Sequence, residues 1–159
     1  MGDCTTWDAR AWLNEVREAV RMLQVERDVR SLRKESLYSI GDPLSHEHTR
    51  SGSIPDAMHK VDIAIDSEHE FDERMEDLRR EVDSCERVVV GLHNAGMDDE
   101  AWAVELHVIY RMSWQGVARK MTQSSATVRR RYDVAVDVME TVGKARAVAG
   151  DLLLVKAEQ

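Results

Sequence analysis

The chain has 159 residues, of which 43% are hydrophobic and 33% charged, and it contains only two prolines. This length fits one domain, or one small domain with an extension, and the scarcity of proline beside so many charges predicts long helices. No apolar run approaches the roughly 18 to 20 residues that span a bilayer, and the N-terminus lacks the basic and apolar regions of a signal peptide. We therefore expect a cytoplasmic protein without a membrane partner.

Charge is distributed unevenly along the chain. The net charge of -8 disfavours nucleic-acid binding when it is taken over the whole sequence, because neutralisation of phosphates drives such binding. However, residues 1–97 hold 21 acidic and 13 basic side chains, whereas residues 98–159 hold nine of each. Six basic residues and no acidic residue lie between Arg111 and Tyr132. A compact basic segment therefore follows an acidic N-terminal part.

The first part of the chain predicts one long amphipathic helix. No glycine or proline interrupts residues 6–39, and apolar residues recur there at spacings of three and four. Glycine and proline then punctuate a connector at about residues 40–55, and a second helix is expected to start near Pro55 and Asp56. The apolar residues of the first helix form two stripes, which are Leu13, Val16, Val20 and Leu23, and Met22, Val25, Val29 and Leu32.

The second helix carries an apolar seam with a period of 3.5 residues, which is typical of a coiled coil. We expect this seam to be core rather than a partner-binding groove, and Gly91 and Gly96 to end the helix. Two helices of similar length joined by one loop predict an antiparallel, coiled-coil-like hairpin over residues 1–97, with self-association to cover the Leu13 to Leu23 stripe of the first helix. The seam consists of Phe71, Met75, Leu78, Val82, Cys85, Val89 and Leu92.

The rest of the chain also predicts helices, so the expected fold class is all-α. A third helix should run from Asp98 to about Arg111, with Trp102, Leu106 and Ile109 on one face. Residues 144–159 form a C-terminal extension in which Gly150 interrupts an apolar pattern, and we expect a frayed helix there.

Residues 113–131 have the pattern of two short helices joined by a tight turn. Ser113 and Ser124 are placed to cap the two helices, and Thr122 with Gln123 should form the turn. The small Ala118 permits the helices to cross closely. The first helix should bury Trp114, Val117, Ala118 and Met121, and the second should bury Val128, Tyr132, Ala135, Val138 and Met139.

This pattern predicts a helix-turn-helix within a domain at 98–143, whose second helix would enter the major groove of duplex DNA. Arginine suits guanine because its planar fork matches two acceptors on the base edge, whereas phosphate contacts set register and affinity. The predicted base-reading residues are Ser125, Ala126, Arg129 and Arg130. The predicted phosphate contacts are Arg111, Arg119, Lys120, Ser124, Thr127 and Arg131.

The residues S-W-x-x-V-A-x-x-M-x-x-S-x-x-T-V-x-R from Ser113 resemble the helix-turn-helix of sigma-factor region 4. The layout of residues 6–140, including the pair Tyr110 and Arg111, is similar to small phage regulators of the ArpU/RinA late-gene activator type. This resemblance implies a sequence-specific DNA-binding transcription activator of phage or prophage origin, with RNA polymerase as a possible partner. Two features depart from the family: Arg131 stands at a usually apolar position, and the chain beyond Gly143 is longer.

Other interpretations remain open at this stage. The arginine cluster at 129–131 also fits a solvated helix face, the usual fate of charge runs. A small terminase-like packaging protein, with a helix-turn-helix and an oligomerising helical region, is the main alternative, and a scaffold without DNA binding is the third. His46, Glu47 and His48 lack the spacing of a metal site. Because no nucleophile or phosphate-loop pattern occurs, we expect no enzyme activity, catalytic residue, metal or cofactor.

Overall fold

The computed structural model describes residues 7–39 and 54–153, with side chains at every position there except 33, 34, 36–39 and 54–70. All regular elements within these ranges are helices, so the all-α class is confirmed. None of the described helices combines the length and apolar composition needed to cross a bilayer. The helices are α1 (Ala9–Ser39), α2 (Ile54–Asn94), α3 (Asp98–Val104), α4 (Trp114–Met121), α5 (Ser125–Val142) and α6 (Lys144–Val148), and a π-helical turn at Glu105–Ile109 continues α3.

The ends of α1 and α2 follow local chemistry. The Asp8 carboxylate accepts a hydrogen bond from the Ala11 backbone N–H at 2.8 Å, which satisfies a free donor where α1 begins. After α2 ends, Gly96 adopts a left-handed conformation with φ of 73°. The expectation that Gly91 ends α2 is wrong, because Gly91 is buried inside the helix. The predicted connector at 40–55 lies almost wholly outside the described residues.

Helices α1 and α2 contact each other and run in opposite directions where their side chains meet. The Trp12 indole N–H donates to Glu81 at 2.7 Å, and Arg30 pairs with Asp72 at 2.7 Å. The predicted seam of α2 faces the interior of the chain: Met75, Cys85, Val89 and Leu92 are buried, and Phe71, Leu78 and Val82 are partly buried.

The two apolar stripes of α1 have different environments. Leu13 and Val16 are fully buried, so the first stripe joins the core. Met22, Val25 and Leu32 of the second stripe are exposed. The stripe left uncovered on α1 is therefore the outer one, not the Leu13 to Leu23 stripe, and the α2 seam is intrachain core.

The turn after α3 differs from the predicted continuous helix. Residues 105–109 form a wider π-helical turn, and Arg111 then adopts a left-handed backbone with φ of 54°. A π turn adds a residue to one helical turn and so rotates the face that follows it. Trp102, predicted to share a face with Leu106 and Ile109, is exposed and packs edge-on against His93, whereas Leu106 is buried. The buried residues of this segment are Glu100, Ala101, Ala103, Val104, Leu106 and Val108.

A single core unites the N-terminal and C-terminal parts. Buried side chains from α1, α2, α3, α5 and α6 belong to one cluster, and Ala147 and Leu152 are fully buried within it. Helix α6 therefore packs against α2 and α5, and Leu152 beyond it is buried, where a frayed helix was expected. Close packing also explains Gly91, because a Cβ atom there would lie 2.5 Å from the backbone oxygen of Gly150.

Candidate nucleic-acid interface

Helices α4 and α5 begin at the predicted serine caps. The Ser113 hydroxyl accepts a hydrogen bond from the Gly116 backbone N–H at 3.2 Å, and Ser124 accepts one from Thr127 at 3.1 Å. Each cap satisfies a backbone donor that the first turn of a helix leaves free. Both predicted caps are confirmed.

Three residues connect the two helices. Thr122 adopts a left-handed conformation with φ of 54°, and the Gln123 backbone N–H donates to the Ala118 carbonyl at 3.0 Å. These features end α4 abruptly, and Ser124 then starts α5. Ala118 is buried, as is Val128 on α5, so small side chains lie where the helices pack. The chain thus forms a helix, a three-residue turn and a second helix.

The predicted base-reading residues occupy the first two turns of α5. Ala126, Arg129 and Arg130 are exposed there, while Ser125 is partly buried. Ser125 lines a shallow depression between the helices. The other residues lining this depression are Gln115, Ala118, Arg119, Thr122, Gln123 and Ser124.

Four exposed cations, Arg119, Lys120, Arg129 and Arg130, are named here the basic face. None of the four forms an ion pair with a carboxylate in the described part of the chain. The N-terminus of α5 adds the partial positive charge of its free backbone N–H groups. The hydroxyl oxygens of Ser124 and Thr127 are hydrogen-bonded to each other at 2.8 Å and lie on exposed residues. The arrangement is suited to an anionic, extended partner.

An aromatic cluster lies next to Arg129 of the basic face. The His107 ring stacks on Trp114 with centroids 3.7 Å apart, and Tyr132 packs edge-on against both rings. The Arg129 guanidinium lies 5.8 Å from the centre of the Trp114 ring, within the range of cation–π attraction. Trp114 therefore orients Arg129. Sequence reasoning placed Trp114 only in the core, because helical spacing carries no signal of this contact.

His107 is held in one tautomer within this cluster. Its Nδ1 lies 2.9 Å from the Met112 carbonyl oxygen, and since a carbonyl only accepts, Nδ1 carries the hydrogen and donates. Burial lowers the pKa of His107 below its ordinary value, and the charges of Arg17 and Arg129 act in the same direction. His107 is accordingly neutral near pH 7.

Arg131 differs from its two neighbours because it pairs with acids of α3. Its guanidinium lies 2.8 Å from Glu100 and 3.2 Å from Asp99. Glu100 is only 7% exposed, and a buried carboxylate without a partner destabilises the folded state. Arg131 therefore stabilises the fold by pairing with Glu100. This pairing explains how a charged residue occupies a partly buried position on α5.

The backbone of Arg111 contacts α1. Its carbonyl accepts a hydrogen bond from Arg17 Nη2 at 3.4 Å, and its charge helps to lower the pKa of Glu18, after the larger effect of the Arg21 hydrogen bond. Arg111 is also partly buried.

The structure thus brings Arg119, Ser124 and Thr127 together at the start of α5. Lys120 lies instead beside Asp99 and Trp102 of α3. Arg131 is held by its ion pairs with α3. The acidic residues Asp99 and Glu100 were the sequence signal from which the ion pairs of Arg131 could have been predicted.

The described residues offer little for other chemistry. Cys85 is fully buried, and burial raises the pKa of its thiol to about 12, so it is unsuited to act as a nucleophile. Among the residues whose side chains the structure describes, no group of three His, Cys, Asp or Glu is arranged to hold a metal ion. His46, Glu47 and His48 lie outside the described residues.

Comparison with protein-family models, with curated proteins and with solved structures found no match to this chain.

Proposed function

We propose that this protein binds duplex DNA sequence-specifically, with α4, the turn and α5 acting as a helix-turn-helix. The observation that carries the proposal is the basic face. Its four cations are exposed and lack carboxylate partners among the described residues. Arg119 lines the same depression as Ser124 at the capped start of α5, and Arg129 and Arg130 follow in the second turn of that helix. Phosphate neutralisation gives such a surface affinity for nucleic acid, and recognition helices present their N-terminal residues to base edges.

The proposed contacts differ along the surface. Arg129 and Arg130 read guanine through their planar forks, while Ser125 and Ala126 lie against neighbouring base edges. Phosphate contacts fall to the α4 cations and to the hydroxyls near the turn. The residues assigned to phosphate are Arg119, Lys120, Ser124 and Thr127.

The biological role is proposed from the resemblance of residues 113–130 to sigma-factor region 4. In that proposal the protein is a non-enzymatic transcription regulator of phage or prophage type that activates late genes, without metal or cofactor. Helices α1 and α2 form a helical hairpin that contacts other protein chains, including RNA polymerase. A small terminase-like packaging protein would use the same DNA-binding surface, so the preferred sequence must separate the two roles.

Selection of bound sequences from random duplex DNA tests the proposal. We expect one sequence to be enriched, and its likeness to a promoter or to a packaging site distinguishes regulation from packaging. Against that sequence, Arg130→Ala should lose about 1 to 3 kcal/mol at one base pair and relax the preference there. Lys120→Ala should weaken matched and scrambled duplexes equally and lower the salt slope by about one.

Arg80→Ala is the matched control, because Arg80 is an exposed arginine on α2, away from the basic face. It should leave both affinity and sequence preference unchanged. Equal losses on every duplex for Arg130→Ala would remove its assignment to base reading. Failure of the full chain to bind any duplex at low salt would contradict the function itself.

A further inference from the structure

The outer face of α1 carries an apolar stripe that the described chain does not cover. Met22, Val25 and Leu32 are 41%, 46% and 64% exposed, and Val29 is partly buried. Their spacing of three, four and three places them at positions a, d, a and d of a heptad repeat. A contiguous stripe of this kind on a helix marks a surface that associates with another helix.

The charges beside this outer stripe favour a second copy of α1 in the parallel direction. Arg21 and Asp28 occupy g positions, and Glu26 and Arg33 occupy e positions by sequence register. In a parallel pair, each g residue is set opposite the e residue five positions later in the partner, so the register sets Arg21 opposite Glu26 and Asp28 opposite Arg33. Opposite charges therefore face each other at both places. Within one chain Arg21 also pairs with Glu18, and Glu26 also pairs with Arg30.

The antiparallel direction brings like charges together. An antiparallel pairing that matches all four apolar residues sets Met22 against Leu32 and Val25 against Val29. Its two-fold axis then lies near residue 27, where Asp28 approaches Asp28 and Glu26 approaches Glu26 of the other copy. Like-charge juxtaposition disfavours this alignment. The second a and d layer, Val29 and Leu32, has the β-branched residue at a and leucine at d that favour two strands over three or four in a parallel coiled coil.

We infer that two copies of this chain pair in parallel through the outer stripe of α1. The stripe starts twelve residues after Arg10, beyond the N-terminal part of α1 that is fixed to α5, where Ala9 donates to Glu140 at 3.1 Å and Arg10 pairs with Asp133 at 2.7 Å. Parallel pairing thus holds the cores of both chains at the same end of the paired α1 helices. On the proposed DNA-binding function, the dimer presents two basic faces to two half-sites. The seam covers about three helical turns, so association depends on concentration.

Sedimentation equilibrium of the full chain without DNA tests the pairing independently of DNA binding. We expect a reversible monomer–dimer equilibrium, and Val25→Asp should weaken it at least tenfold. Val90→Asp is the matched control, because Val90 is a valine on α2 with 56% exposure outside the stripe. It should leave association unchanged. A wild-type chain that stays monomeric at every concentration, or a Val25→Asp variant that dimerises normally with unchanged circular dichroism, overturns the inference.

Disulfide trapping tests the direction of pairing. In a Cys4→Ser background, Leu32→Cys should form a reducible dimer on mild oxidation, because d residues face each other in a parallel pair. In the antiparallel alignment residue 32 faces Met22, and the two thiols of a Leu32→Cys dimer lie about 15 Å apart. A dimer that crosslinks only when Met22→Cys and Leu32→Cys chains are mixed overturns the parallel arrangement.

Discussion

Three consecutive arginines at the start of α5 have three different environments. Arg129 lies over the ring of Trp114, Arg130 is exposed without an ion pair among the described residues, and Arg131 is bound to the buried Glu100. An oriented arginine loses less side-chain freedom on binding than an unconstrained one. We therefore regard Arg129 as preorganised for its contact and Arg130 as the residue that adjusts to the bound base.

His107 makes stability depend on pH. Its pKa is lowered in the folded chain by burial, whereas the unfolded histidine titrates near 6.5. Between these two pKa values the unfolded chain binds more protons than the folded chain. The contribution of His107 to the free energy of unfolding is therefore complete above about pH 6.5 and declines as pH falls towards the folded pKa.

Urea unfolding of the wild type and His107→Gln at pH 7.5 and 5.5 measures this effect. Comparing the two proteins cancels groups that titrate alike in both. The free energy of unfolding should fall more between the two pH values in the wild type than in the variant. An equal fall in both proteins would show that His107 is not the source.

At the scale of elements, Gly91 and Gly116 both lie within helices, but their surroundings differ in the space they leave for a side chain. Gly91 lies where α2 meets the backbone of Gly150, and an added Cβ would be 2.5 Å from that oxygen. At Gly116 in α4, an added Cβ would meet only side-chain atoms of Met112 and Ser113, the nearest at 3.4 Å. Gly91 is thus required by packing, whereas Gly116 has room for a methyl group.

We expect Gly91→Ala to destabilise the protein by about 1 to 3 kcal/mol, because the backbone of the C-terminal segment has to move. Gly116→Ala is the matched comparison, and it should be neutral or stabilise by up to about 1 kcal/mol through helix propensity. Thermal unfolding followed by circular dichroism gives both values. If Gly91→Ala melts at or above the wild-type temperature, the close approach of α2 to residue 150 is incorrect.

At the scale of the whole molecule, the helices that carry the basic face share their core with α1 and α2. Val104, Val128 and Met139 belong to the same buried cluster as Leu13 and Leu92. A fragment of residues 98–143 would lose these neighbours and expose the apolar surface that they cover. It is also about 46 residues long, close to the lower limit for a domain that folds without additional crosslinks.

We therefore expect the 98–143 fragment to melt broadly and at lower temperature than the full chain, while keeping weak affinity for duplex DNA at low salt. Circular dichroism melting beside a DNA titration measures both properties. A fragment spanning residues 7–153, which retains every described element, is the control and should melt as the full chain does. A sharp transition at high temperature in the short fragment would show that it is an independent domain.

The sequence by itself determined the features that depend on neighbouring residues. Serine caps, the turn at Thr122 and the helical periods act within one or two turns of chain, so the all-helical class, both caps and the exposure of Arg129 and Arg130 could be predicted. The buried seam of α2 follows from the same local repetition, although periodicity alone does not reveal what covers it.

Only the tertiary structure decided features that depend on residues far apart in the chain. Two apolar stripes on α1 have similar periodicity, and their different exposure follows from where α2 and the rest of the core lie. Arg131 becomes structural because α3 brings Glu100 to it, and Gly91 stays within a helix because Gly150 packs against it. The contact between Arg131 and Glu100 joins residues 31 positions apart, and Arg87 donates to the Val148 carbonyl across 61 positions. No local pattern specifies which of these segments meet.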